Sequence, residues 1–322
     1  MSGGPPVSNV ELNPIETACH SAPSAGPVTE LFSSRVVPLG GMRRGIAVNR
    51  VLPQRALPTV GAWCFLDQFG PQRTDMQVLP HPHIGLQTVT WPLAGEVRHR
   101  DSLGSDVIIR PGQLNLMTSG HGIAHSEFSL GELPQLHGLQ LWVALPAAAA
   151  GHEPGFEQHS ELPVHEADGV RATVFMGELG SVRSPATAYS PLVGAELALP
   201  AGASTTLPLR LDFEYALLVL SGGLRVAGTE LGSGPLLYLG LDRGELELSA
   251  EVGTRAILLG GEPFRDDLVM WWNFVGRNHD EIAAARADWE SQDERRFGAV
   301  AGGGERIPAP RLPSVRLLPR RR

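Results

Sequence analysis

From Val36 onward the chain is written in short apolar or alternating runs broken by Gly and Pro. GIAVNRVLP (45–53) alternates weakly, VGAWCFLDQFGP (60–71) is apolar until a Gly-Pro turn signal, and Gln113-Leu114-Asn115-Leu116-Met117 alternates strictly. HGLQLWVALP (137–146) reads as a buried strand. The second half repeats the pattern in LALPAGASTTLPL (197–209), YALLVLSGGLRVAGTEL (215–231), PLLYLG (235–240), LELSA (246–250) and TRAILLGGEP (254–263). Period two and brief apolar runs between turn residues predict many short strands, hence a sandwich or barrel, and the repetition predicts a second one. One segment departs from this pattern. Asn278 and Glu281 are spaced as an N-cap pair, and EIAAARADWESQDE then sets Ile282, Ala285 and Trp289 on one helical face.

The same text divides the chain. Residues 1–30, rich in Gly, Pro, Ser and Ala, are expected to be a disordered lead. A first domain spans 31–150, a polar connection 151–182, a second domain with the helix 183–298, and a flexible Arg/Pro/Gly tail 299–322. Trp271, Trp272 and Phe274 are expected in the core, and Asp67 in a turn.

Composition narrows the function classes. The 322 residues carry a net charge of -8, and every basic residue is Arg. Neither the charge nor any basic helix points to direct nucleic-acid binding. The two cysteines, Cys19 and Cys64, lie in unlike contexts and form no disulfide framework, which fits a reducing cytoplasm. No secretory leader or membrane span is expected.

The chemistry is concentrated in two segments, HPHIGLQTVT (81–90) and MTSGHGIAHSE (117–127). His81 and His83 are two residues apart, as are His125 and Glu127. Along a strand such pairs share one face. If the two strands are neighbours, a pocket of three imidazoles and a carboxylate results. That donor set suits Fe, Ni, Cu, Zn or Mn and leaves room for further ligands. A lone His-x-His is as readily a pair of ordinary polar residues; the second pair tips the reading. His99 and Met117 are candidates to line the pocket, with a solvent-facing or structural role as the alternative for His99. His121 is left out of the ligand set. His152, His159 and His165 are irregularly spaced and read as surface residues. No histidine lies between His165 and His279, so a second barrel cannot repeat the site. With Gly223 set against Gly95, its equivalents of His81 and His83 fall near Leu209 and Leu211.

These segments, with VGAWCFLDQFGP (60–71), GEVRHRDSLGS (95–105) and IRPGQLNLMTSGHGIAHSE (109–127), resemble the pirin family of the cupin superfamily, from about Val36 to Gly298. The resemblance implies two cupin-type (jelly-roll) β-barrels in tandem. It also implies a metal, Fe(II) first and otherwise Ni, Cu, Mn or Zn, held in the N-terminal barrel by His81, His83, His125 and Glu127. A C-terminal region is expected to pack back on that barrel. It implies a quercetin 2,3-dioxygenase type of activity on a phenolic substrate with O2, Glu127 acting as base. The alternatives are a metal-dependent regulator working through a protein partner, or a metal that only stabilises the fold.

Overall fold

In the computed structural model, which describes residues 26–39 and 46–319, strands dominate and form two barrels. The first has a seven-stranded sheet ordered Gly155–His159, Leu114–Thr118, Leu86–Ala94, Gln135–Ala144, Trp63–Arg73, Ile46–Leu52, Arg35–Leu39. Its companion sheet runs Gln77–His83, Ile123–Ser129, Val97–Asp101, Asp106–Ile109. The second barrel repeats this strand for strand. Its large sheet runs Pro27–Phe32, Leu236–Gly240, Glu214–Ser221, Thr254–Gly261, Leu192–Leu199, Val170–Leu179, Val164–Ala167, with Val182–Arg183 pairing off the path. The small sheet runs Ala203–Pro208, Glu245–Ala250, Gly223–Val226, Thr229–Gly232.

The repeat corrects the expected boundaries. Pro27–Phe32, placed in the disordered lead, is a strand on the second barrel, paired with Leu236–Gly240. Residues 1–25 and Cys19 lie outside the described residues. The 151–182 connection is also built into the sheets. Gly155–His159 edges the first barrel beside Leu114–Thr118, while Val164–Ala167 and Val170–Leu179 belong to the second. Each barrel thus takes an edge strand from outside its expected span.

The two large sheets bury their outer faces together. Val89, Leu139 and Leu141 share one cluster with Phe175, Leu218 and Ile257. Each such side chain contributes about 1.5–3 kcal/mol. Polar ties fix the register: Trp63 Nε1 donates to the Val193 and Gly260 carbonyls at 3.0 and 3.2 Å. The buried Glu214 carboxylate accepts from Gly61 N–H and from the Tyr238 hydroxyl, both at 2.6 Å.

The interiors differ. Across the second barrel, Leu237, Leu217, Leu258, Ala195 and Val174 stand in one cross-strand row, all buried. Across the same strands of the first, one row reads Gln158, Asn115, Thr90, Gln140, Asp67 and Arg50. Alternation along each strand sends the apolar neighbours outward to the other barrel and these polar groups inward. Asp67, expected in a turn, lies within a strand and forms a buried bidentate pair with Arg50 at 2.9 and 2.8 Å.

After the second barrel the chain returns to the first. The hairpin Val269–Trp271/Phe274–Gly276 carries Trp271, Trp272 and Phe274 into a cluster with Ile84 and Ala124. The helix His279–Glu290 begins where expected: the Asn278 side chain accepts from Glu281 N–H at 3.0 Å, and Ile282, Ala285 and Trp289 are buried. A second short helix, Glu294–Phe297, follows. The expected flexible tail is instead packed as far as it is described: Ile307, Ala309 and Leu317 are buried in the same cluster, and Ile307 N–H donates to the Pro80 carbonyl at 2.8 Å. Apolar residues spaced through a Gly- and Pro-rich stretch hold it down without regular structure.

Candidate functional site

The Gln77–His83 and Ile123–Ser129 strands are antiparallel neighbours, with His81 directly opposite His125. Glu127 faces His99 across the other flank of the same strand. The i, i+2 spacing therefore does aim both pairs into the first barrel. Gly85 makes the turn between the histidine strand and the next, at φ +69; a Cβ there would lie 2.0 Å from the Val275 carbonyl oxygen. That close approach brings the C-terminal hairpin against the site.

His81, His83 and His125 are each buried, at most 1% exposed. Nε2 of His83 and Nε2 of His125 are 3.1 Å apart. The His81 ring centroid lies 4.4 Å from that of His125 and 5.0 Å from that of His83. The Leu79 carbonyl sits 2.9 Å from Nδ1 of His81, and the Asn273 carbonyl 2.9 Å from Nδ1 of His83. A carbonyl only accepts, so each Nδ1 carries the hydrogen and each Nε2 the lone pair. Among the described residues, Nε2 of His81 is buried with no partner. Burial holds the His81 pKa down at about 4, against the lift from the Leu79 carbonyl, and keeps His83 and His125 well below the ordinary imidazole range, helped by their neighbours' charge. All three are neutral at pH 7, with lone pairs available.

The fourth expected residue stands slightly apart. Among the described residues, two groups have ligand atoms mutually within 4.8 Å: His81, His83 and His125, and His99, His125 and Glu127. His125 is common to both. The Glu127 carboxylate is anchored by the Thr90 hydroxyl at 2.9 Å. Burial raises its pKa, partly offset by His99 and Thr90. His99 is buried, stacked on Phe156 at 4.6 Å, and hydrogen-bonded to Asp101 at 3.1 Å. Met117 is buried beside Phe156 and Thr88, on the face that carries Asn115. Nδ2 of Asn115 is buried without a partner among the described residues. Its Oδ1 is taken by Nε2 of Gln158, whose other hydrogen goes to the Ile108 carbonyl. Beside Glu127 lies a cavity of about 30 Å³ walled by Val48, Phe69, Met76 and Val78.

Sequence reasoning missed Asn273, which acts through its backbone oxygen, and Thr90 and Asp101, which carry no ligand-type spacing. The expected second-barrel equivalents also shift. The strand matching Gln77–His83 is Ala203–Pro208, so the inward positions are Thr205 and Leu207, paired with Leu248 and Leu246, and not Leu209 and Leu211. That space is apolar core. His121, His152, His159 and His165 join no cluster of ligand atoms among the described residues.

Comparison with known proteins bears on this site. The profile described as Pirin matches residues 45–143, and that described as Pirin C-terminal cupin domain matches 194–298. A Pseudomonas aeruginosa protein provisionally named a quercetin 2,3-dioxygenase is 46% identical over 286 residues, 87% of this chain and 90% of that protein. A pirin-like protein of Caulobacter vibrioides is 36% identical, covering 81% of this chain and 92% of its own length. A crystal structure of quercetin 2,3-dioxygenase from Acinetobacter baumannii superposes with a TM-score of 0.84 at 41% identity, over 89% of this chain and 96% of that one.

Proposed function

The chain belongs to the pirin family, and on that premise we propose that it is a metal-dependent dioxygenase of the quercetin 2,3-dioxygenase type, acting on a flavonol or related phenolic. The observation that carries this reading is the contrast of interiors. Three imidazole lone pairs converge in the polar chamber of one barrel, whereas the matching space in the other is filled by leucine. His81, His83 and His125 would hold one divalent metal with Glu127 beside it. Neutral imidazoles and a carboxylate favour a borderline first-row ion, Fe(II) first, then Ni, Cu, Mn or Zn. Such an ion supplies Lewis acidity and a meeting point for O2 and the substrate oxygen.

The chain's own groups do the rest. Glu127, its pKa raised by burial, accepts the proton of the substrate hydroxyl at a carboxylate oxygen. Thr90 steadies that carboxylate. Asn115 Nδ2, fixed inward by Gln158, donates to a second substrate oxygen. The cavity of about 30 Å³ beside Glu127 holds about one water. A flavonol requires a site of roughly several hundred Å³. A flavonol therefore needs more room than this cavity alone provides.

The test is O2 consumption with quercetin by anaerobically iron-loaded protein, beside Glu127→Ala with iron content measured in both. Uptake lost in the variant supports the reading; no uptake by wild type with iron bound sinks quercetin as substrate. In that event the alternative reading, a regulatory protein whose metal state is read by a protein partner, takes its place.

A further inference from the structure

We infer that Asp101 and His99 set the tautomer of His125, directing its Nε2 lone pair to the metal, and that His99 is a positioning residue and no ligand. The inference rests on the reading that His81, His83 and His125 hold the ion. It follows from counting hydrogens along a chain of groups that spans the site.

Asp101 Oδ1 accepts from the backbone N–H groups of Leu103 and Ser105 at 2.9 and 3.0 Å, and Oδ2 faces Nε2 of His99 at 3.1 Å. An ionised carboxylate only accepts, so His99 carries a hydrogen on Nε2, and as a neutral imidazole it offers a lone pair at Nδ1. At the other end, the Asn273 carbonyl requires hydrogen on Nδ1 of His83, leaving Nε2 bare. His125 lies between these two lone pairs. Its Nδ1 is 3.4 Å from Nδ1 of His99, and its Nε2 is 3.1 Å from Nε2 of His83. A neutral His125 has one ring hydrogen and can close one gap only. The remaining gap sets two lone pairs against each other and calls for a cation.

His81 decides which gap that is. Its buried, unpartnered Nε2 belongs to the group formed with His83 and His125. A cation there meets three lone pairs. A cation in the other gap would meet His99, His125 and Glu127 but leave that buried Nε2 of His81 facing no partner among the described residues. The cation therefore takes the His83 side and the hydrogen the His99 side. His81 and His83 are oriented by backbone carbonyls; His125 is oriented through His99, which Phe156 clamps face to face.

Asp101→Asn inverts this order with little change of shape. The backbone N–H groups of Leu103 and Ser105 keep the amide oxygen, so the NH2 turns to His99 Nε2. His99 must then carry hydrogen on Nδ1, and His125 is left with hydrogen on Nε2, where the metal binds. Zn(II) affinity, measured by chelator competition, should fall about ten- to a hundredfold. His99→Phe keeps the stack on Phe156 and removes both nitrogens, so Asp101→Asn/His99→Phe should bind Zn(II) as well as His99→Phe alone and better than Asp101→Asn. In zinc-loaded wild type, 15N spectra of labelled histidine should show Nδ1–H on His125. Unchanged affinity in correctly folded Asp101→Asn overturns the relay. Complete loss of the site in His99→Phe makes His99 a ligand and also overturns it. Failure of wild type to bind Zn(II), Ni(II) or Fe(II) at all overturns the metal reading itself, a result distinct from the other two.

Discussion

His81 offers a direct measure of how completely the first barrel excludes water from its imidazoles. Its side chain is fully buried, and burial holds its pKa at about 4, below the ordinary 6.5. The unfolded chain takes up this proton near pH 6.5; the metal-free folded protein resists until about pH 4. Between those values the unfolded state binds more protons, so stability falls as pH falls. The gap corresponds to about 3 kcal/mol from His81 alone, complete below about pH 4. His83 and His125, depressed in the same direction, add to it. The assay is urea unfolding of EDTA-treated protein from about pH 7.5 to about pH 4, beside His81→Gln. Carboxylates elsewhere titrate in both proteins and cancel. Between those limits the variant should gain about 3 kcal/mol relative to wild type. A stability difference that stays constant with pH would refute the reasoning, because an imidazole that titrates normally is not sequestered in the barrel.

Three further outcomes follow from other contacts. Thr90→Val removes the hydroxyl on Glu127; a hydrogen bond to a charged group is worth about 1.5–3 kcal/mol, so turnover should drop roughly ten- to a hundredfold with metal content unchanged, as steady-state rates and metal analysis would show. Gly85→Ala sets a Cβ 2.0 Å from the Val275 carbonyl oxygen at a positive φ. It should cost roughly 3 kcal/mol or more and weaken metal binding by displacing the hairpin that holds His83, both readable by denaturation and metal titration. Trp63→Phe removes the indole donor between the barrels; it should lower stability by about 1–2 kcal/mol while leaving metal affinity alone.

What the sequence disclosed depended on the range of the interaction. The pairs His81/His83 and His125/Glu127 were legible because strand geometry is local: two residues always return a side chain to the same face. The Asn278 cap and the helix it starts were legible for the same reason. His99 was legible only as a candidate to line the pocket, with a solvent-facing or structural role left open, since its burial depends on the Phe156 strand laid over it from the connection, and that pairing has no local signature. The hold of Asn273 on His83 spans 190 residues and uses a backbone atom, which every residue possesses. The exchange of edge strands was hidden likewise: Pro27–Phe32 is mostly exposed and carries little apolar pattern, because its pairing is made by backbone hydrogen bonds. The polar row from Gln158 to Arg50 could be seen only once register placed six strands side by side.

The central claim is that one metal binds among His81, His83 and His125 in the first barrel. Anomalous diffraction at the absorption edge of iron-, nickel- or zinc-loaded crystals tests it most directly. A single strong peak is expected within about 2.0–2.2 Å of the three Nε2 atoms, on the Glu127 side of the chamber, with His99 left outside the coordination sphere and no peak in the second barrel. A peak between His99, His125 and Glu127, or none in the first barrel of demonstrably loaded protein, would contradict it.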